Sequence, residues 1–161
     1  MGQAGWLKAF RYLHDKAKRG TIEPRDRQDY LAARDELARV LLSAQRVAIQ
    51  PGLCPRRALR VARALQVDIA FPDGTVRAMT LQLSSGGFGA LVARPPTLDD
   101  EVQVVLRIPG GEPLKAAARV VEVKKQAGNA NVSFQFVGLD ESEVERLEVF
   151  VFDAVLAQLQ G

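Results

Sequence analysis

The chain has 161 residues, of which 47% are hydrophobic, and a net charge of +3, a composition that suits a globular protein with a core of its own. No apolar run approaches the roughly 18 residues that a membrane-spanning helix needs, and the first residues lack the basic and apolar segments of a secretory signal. Cys54 is the only cysteine, which excludes an intrachain disulfide, so we expect a cytoplasmic protein.

Basic residues are concentrated in the first part of the chain. Residues 1–63 hold 14 Lys and Arg against 6 Asp and Glu, whereas residues 64–161 hold 8 against 13. This asymmetry indicates an anionic partner near the first part, although a solvated helical surface rich in arginine has the same composition. Nucleic acid is the less favoured partner, because aromatic residues for base stacking are sparse near the arginines that follow residue 55.

Before residue 50 the apolar residues recur every three or four positions, which is the period of an α-helix. The first such stripe comprises Trp6, Phe10, Leu13 and Ala17. The second comprises Tyr30, Ala33, Leu37, Val40 and Ala44. Gly20 and Pro24 lie between the two stripes, at positions that suit a helix end and a helix start. We therefore predict an α-helical hairpin as a first domain over residues 1–50, with its stripes buried against the following domain or in a homodimer.

After Pro51, Gly52 and Pro55, apolar residues alternate with polar ones, as they do in half-buried strands. The alternation and its turn residues predict six strands, over residues 65–71, 75–83, 87–93, 101–108, 114–124 and 130–137. Six short strands at this spacing favour a mainly β fold, a six-stranded antiparallel β-barrel, over a parallel sheet.

A last helix is predicted after the strands. Asp140 suits the N-cap position, and Glu143 three residues later completes the pattern of a capping box. Residues 51–161 are thus expected to form a second domain, consisting of the barrel and a C-terminal α-helix.

The residues needed for common catalytic and metal sites are missing from the sequence. His14 is the only histidine, and a single histidine on a helix is most often a satisfied structural residue. Cys54 has neither a second cysteine nor a nearby histidine, and Asp99 and Asp100 fit a solvated turn better than an acid–base pair. We therefore expect no enzymatic activity, no metal and no cofactor.

Two short segments have the chemistry of an anion site. Arg56, Arg57 and Arg60 form a cluster just before the first predicted strand, and a serine and glycine turn at residues 84–87 joins the second strand to the third. Arginine forks bind phosphate groups and the guanine edge, and a glycine-rich turn lets backbone N–H groups approach a ligand. In an antiparallel barrel these two segments can meet on one face.

These segments, in this order around a barrel, resemble the two motifs of the PilZ domain family. That family has an RxxxR segment before its first strand and a [DN]xSxxG motif between the second and third. The first motif corresponds to Arg56 and Arg60 here, and the second to the sequence QLSSGG at residues 82–87. The resemblance covers about residues 51–158, and it implies a non-enzymatic receptor or adaptor for the bacterial second messenger cyclic di-GMP.

The resemblance also implies a role for each site residue. Arg56 and Arg60 would hold the phosphates and guanine edges with help from Arg57, and Ser84 would hydrogen-bond near a phosphate. Gly86 and Gly87 would form a turn that the ligand can approach closely.

Gln82 stands where the family has Asp or Asn, and a contact displaced by its extra methylene would weaken binding by about 1–3 kcal/mol. Two interpretations therefore stay open: a cyclic di-GMP receptor that relays its signal to an unidentified protein partner, or a degenerate PilZ module that holds such a partner without the ligand.

Overall fold

The computed structural model describes residues 3–44, 59–109 and 111–159. Within these ranges the chain forms two helices, six strands and a third helix. Their bounds are α1 Gln3–Arg19, α2 Pro24–Ala44, β1 Gln66–Phe71, β2 Gly74–Leu83, β3 Gly87–Val92, β4 Glu101–Leu106, β5 Leu114–Gln126, β6 Asn129–Val137 and α3 Glu141–Leu159. This is the predicted order of elements, and the predicted strand ends differ from the observed ones by at most two residues.

The six strands form a closed barrel in the order β1-β2-β3-β6-β5-β4, in which every neighbouring pair is antiparallel. Alternate side chains of each strand point into the barrel and are buried there. They include Val67, Ile69, Val104, Leu106, Val120 and Val132. Phe88 stacks on Phe134 across β3 and β6, with ring centroids 4.8 Å apart. The predicted six-stranded antiparallel barrel with a C-terminal helix and an N-terminal helical pair is confirmed.

β2 contains an irregularity that matters for the outer surface of the barrel. Its register against β3 shifts between Thr80 and Gln82, so Leu81 is an extra, bulged residue. Thr80 and Leu83 are buried, whereas Leu81 is 42% exposed and Gln82 is half-buried. The bulge thus places two consecutive side chains, Leu81 and Gln82, on the outside of the barrel.

Contacts divide the chain into two compact units, Arg60–Glu145 with the barrel, and Met1–Leu59 together with Arg146–Gly161. The predicted domain boundary at residues 50 and 51 lies outside the described residues and stays a prediction. Among the helices of the described ranges, none has both the length and the apolarity that crossing a bilayer requires.

The helical unit has an aromatic core with buried polar groups inside it. Phe10 packs on Tyr30 and Phe152, with ring centroids 5.6 and 6.3 Å away. Arg34 is fully buried, lies 4.9 Å from the Tyr30 ring centroid, and pairs with the buried carboxylate of Glu148. A charged arginine is therefore part of this core, where it contacts the Glu148 carboxylate and the rings of Tyr30 and Phe152.

The predicted stripe on α2 is partly wrong. Its buried residues are Tyr30, Arg34, Leu37, Ala38 and Leu42. Val40 is 54% exposed, and Ala44 is exposed as well. Arg34 can occupy the buried face because it pairs with Glu148, and Val40 lies outside the face that these buried residues define. On α1, Trp6 from the predicted stripe is also 39% exposed.

Candidate functional site

The turn between β2 and β3 is held together by Ser84. The Ser84 backbone N–H donates to the carbonyl oxygen of Gly87 over 2.9 Å. The Ser84 hydroxyl oxygen accepts hydrogen bonds from the backbone N–H groups of Gly86 and Gly87, over 3.1 and 3.2 Å. Ser84 is only 5% exposed. Its side chain thus shapes the turn from inside and occupies two backbone donors that a ligand would otherwise meet.

Gly86 and Gly87 are fixed by the neighbouring strand β6. The carbonyl oxygen of Gly86 accepts a hydrogen bond of 2.9 Å from the backbone N–H of Phe136. A Cβ atom on Gly87 would lie 2.1 Å from the carbonyl oxygen of Phe134, closer than any real contact. Glycine is therefore required at position 87 by the close approach of two strands, whereas the motif alone had indicated a turn requirement.

The segment that enters the barrel is attached to β2 by its backbone. Val61 and Leu83 exchange two N–H to carbonyl hydrogen bonds, each 2.9 Å long. The Thr80 hydroxyl continues the attachment, since it donates to the Arg63 carbonyl over 2.6 Å and accepts from the Leu65 N–H over 2.8 Å. Residues 61–65 therefore run along β2 in a defined register.

This register brings Arg60 to the serine turn. In an antiparallel pair, the residue before Val61 faces the residue after Leu83, so Arg60 lies opposite Ser84. Arg60 is exposed and has no hydrogen-bond or ion-pair partner within the described residues. An exposed arginine and a tight turn thus occur together at one end of the barrel. The other two predicted arginines, Arg56 and Arg57, lie outside the described residues.

Gln82 lies on the outer face beside the same turn. It pairs with Gly89 on β3, which alternates with the inward-facing Phe88 and Ala90 and is itself buried. A Cβ atom on Gly89 would lie 3.4 Å from both Cγ and Nε2 of Gln82. The glutamine side chain therefore lies across the bare backbone of Gly89.

Sequence reasoning missed two residues at this site, Gly89 and Ser85. A glycine inside a strand was the available signal for Gly89, because such a glycine often marks a close approach by another group. Ser85 is 2% exposed, and its hydroxyl makes no hydrogen bond within the described residues. No feature of the sequence distinguished it from an ordinary turn serine.

The chemistry that these groups offer is binding. Arginine supplies a fixed positive fork, and glutamine supplies an amide with two donors and an acceptor. Within residues 3–44, 59–109 and 111–159, no group of three or more His, Cys, Asp or Glu side chains is arranged to hold a metal ion.

A separate cavity of about 480 Å³ lies at the opposite end of the barrel. It is formed by the turn after β1 and the loop after β3, and its lining includes Phe71, Asp73, Arg94 and Asp100. Neither the serine turn nor the described residues that lead into the barrel, 59–65, are among its lining residues.

A closed six-stranded barrel entered by an arginine segment and followed by a helix is the architecture of a PilZ domain. The family model of the PilZ domain matches residues 55–153, well over half of the chain. The chain belongs to the PilZ family, as predicted. No curated protein matches the sequence significantly.

Solved structures share this fold at low sequence identity. YcgR of Escherichia coli in complex with c-di-GMP aligns with a TM-score of 0.56 and 18% identity, over 63% of this chain and 46% of that one. MotI/DgrA, the Bacillus subtilis inhibitor of motility, aligns with a TM-score of 0.53 and 16% identity, over 63% and 50%. MrkH of K. pneumonia gives 0.56 and 14%, over 71% and 54%. The aligned part spans about half the length of each of these proteins, and the similarity establishes the fold.

Proposed function

We propose that this protein is a non-enzymatic receptor for cyclic di-GMP that relays ligand binding to a protein partner. The observation that carries the proposal is the antiparallel pairing of Val61 with Leu83, which brings Arg60 to the 84–87 turn. Membership of the PilZ family supports it, as does the fold shared with YcgR, whose crystal structure contains c-di-GMP. Because the ligand is a bacterial second messenger, the receptor would act in the cytoplasm.

Each site residue has a proposed role that fits its surroundings. The exposed guanidinium of Arg60 binds a phosphate or the O6 and N7 atoms of guanine, with Arg56 and Arg57 adding further positive forks. The amide of Gln82 bonds to the same ligand from the outer face of β2. Ser84 acts through the turn, because its hydroxyl already holds the N–H groups of Gly86 and Gly87.

The relay would use the arginine segment itself. This segment precedes the barrel, and ligand binding would fix the side chain of Arg60, which is exposed. Ordering of a segment by a charged ligand is a common switching device, because new charge-assisted hydrogen bonds repay the lost chain entropy. The helical unit that comes earlier in the chain would then present a different surface to the protein partner.

A second candidate is a degenerate PilZ module that binds a protein partner without the ligand. Gln82 favours it, because the family pattern has a shorter side chain there. The saturated hydroxyl of Ser84 favours it as well, since its lone pairs are used within the turn. The substitution Gln82→Asn separates the candidates, because a gain of binding from none would identify a decayed site.

Isothermal titration with cyclic di-GMP tests the proposal directly. We expect saturable binding by the unmodified protein and its loss in Arg60→Ala, with an unchanged melting temperature because Arg60 is exposed. Arg94→Ala is the matched control, since Arg94 is also exposed but lies beside the cavity at the opposite end of the barrel. No saturation up to about 100 μM, the range in which a binding free energy of roughly −5.5 kcal/mol is measured, would overturn the receptor function.

A further inference from the structure

We infer that Gly89 is the residue that positions the amide of Gln82, so that a glutamine can serve where the family has a shorter side chain. This inference rests on the proposed function, since the amide is positioned for the ligand of the same site. Gly89 belongs to neither of the two sequence motifs.

The evidence is the shape that the glutamine side chain adopts. A Cβ atom built on Gly89 would lie 3.4 Å from Cγ of Gln82 and also 3.4 Å from its terminal Nε2. Cγ and Nε2 are both bonded to Cδ, so these equal distances mean that the end of the side chain lies across position 89.

This position across Gly89 accommodates the extra length of glutamine. Gln has one methylene more than Asn, and in an extended conformation that methylene would carry the amide beyond the place that an asparagine amide reaches. Lying across a residue without a side chain keeps the amide close to the barrel surface. Gly89 leaves that surface open, because its Cβ position is empty and its nearest other neighbour there, the Val132 carbonyl oxygen, is 3.8 Å away.

A larger residue at position 89 would remove this space. Alanine would only touch the glutamine, since 3.4 Å is an ordinary contact. Valine adds two methyl groups beyond Cβ, in the volume where Cγ and Nε2 of Gln82 lie, and would push the amide outward. The backbone at position 89 accepts valine, because Gly89 does not have a left-handed φ and lies within a strand, so the side chain that must move in this buried place is that of Gln82.

A double-mutant cycle tests the inference with four proteins: unmodified, Gly89→Val, Gln82→Asn and the double variant. Titration with cyclic di-GMP should show that Gly89→Val weakens binding by about tenfold, the effect of one displaced hydrogen bond. In the Gln82→Asn background the same valine should change binding by less than about threefold, because asparagine does not reach across position 89. An equal loss in both backgrounds, or no loss in the first, overturns the positioning role.

A second measurement does not need the ligand. The side-chain amide signals of Gln82 in the NMR spectrum of the free protein should move in Gly89→Val, while the melting temperature stays within a few degrees of the unmodified value. Unmoved signals overturn the inference whatever the titration gives. Moved signals together with no binding by the unmodified protein would support the positioning of the amide and overturn the receptor function, so the two failures are distinguishable.

Discussion

Val61 and Leu83 exchange two backbone hydrogen bonds of 2.9 Å, and this single pairing connects the incoming chain to the strand end that carries the serine turn. Because the pairing uses backbone atoms, the position of Arg60 does not depend on its own side chain. Substitutions of exposed arginines should therefore affect ligand binding without loosening the barrel. Other residues stabilise the structure itself, and their substitution should lower stability. These residues are Ser84 and Gly87 beside the site and Arg34 and His14 in the helical unit.

Ser84→Ala should destabilise the barrel by about 1–3 kcal/mol, because the backbone N–H groups of Gly86 and Gly87 lose the hydroxyl oxygen that they bond. Urea unfolding followed by circular dichroism measures the change. Ser133→Ala is the matched control, because Ser133 lies on β6 opposite Gly89 and outside the turn. We expect it to change the free energy of unfolding by less than about 0.5 kcal/mol. Equal effects of the two substitutions would show that the turn does not depend on the Ser84 hydroxyl.

Gly87→Ala should lower the free energy of unfolding by about 1–3 kcal/mol or more, because the new methyl group would lie 2.1 Å from the Phe134 carbonyl oxygen. Strands β3 and β6 must separate to accept it. Gly89→Ala in the same strand is the control, since its methyl group would meet nothing closer than 3.4 Å. A Gly87→Ala protein that melts at the same temperature as this control would contradict the close strand approach.

Arg34→Met should destabilise the protein by about 3–5 kcal/mol, because it leaves the buried carboxylate of Glu148 without its cation. The double variant Arg34→Met/Glu148→Leu should recover most of that loss, since it removes both charges and keeps the volume apolar. Denaturant unfolding of the three proteins gives the comparison. If the double variant is as unstable as the single one, the aromatic contact of Arg34 with Tyr30 matters more than the ion pair.

His14 should make stability depend on pH. Burial lowers the pKa of His14 below its ordinary value of 6.5, although the Asp153 carboxylate 3.4 Å from Nε2 acts in the opposite direction. The unfolded chain therefore binds this proton more readily than the folded one, and stability should fall as the pH drops below 6.5 towards the lower folded-state pKa. The other groups that act on the imidazole are Lys18 on α1 and Tyr30 and Arg34 on α2.

Thermal melting between pH 7.5 and 5, measured for the unmodified protein and for His14→Gln, tests this prediction. Glutamine keeps a hydrogen-bonding group near the Tyr30 hydroxyl, which lies 2.7 Å from Nδ1, but it does not titrate. The slope of melting temperature against pH should be smaller in the variant over this range. A melting temperature that rises as the pH falls in the unmodified protein would mean that the folded state favours the charged imidazole.

Much of the fold could be predicted because its signals are local. Alternating apolar residues and turn residues located all six strands, and the capping box at α3 is present, with the Glu143 N–H donating to the Asp140 carboxylate over 2.8 Å. The buried face of α2 could not be predicted, because Arg34 is acceptable in a core only with Glu148, which is 114 residues away. The apolar period alone gives no sign of such a partner.

The candidate site, like the fold, could be predicted from the sequence only in part. The motifs named Arg60, Gln82 and the 84–87 turn as candidate site residues, and the attachment of residue 61 to residue 83 brings Arg60 to the end of the barrel that carries this turn. The motif spacing could not show that Gly87 is required by the carbonyl oxygen of Phe134 on another strand. Nor could it show that Gln82 lies across Gly89, because both relationships depend on pairings that exist only in the closed barrel.

The closure of the barrel limits how a protein partner can bind it. Each of β1 to β6 has a paired neighbour on both sides, and the longest stretches of strand that are paired on one side alone are residues 74–79 of β2 and 122–126 of β5. A partner that adds a strand would have to pair with one of these stretches, and elsewhere recognition of residues 66–137 must use side chains on the outer faces of the strands or on the connecting turns. Specificity for such a partner would then depend mainly on surface residues, which can be substituted one at a time without altering the barrel.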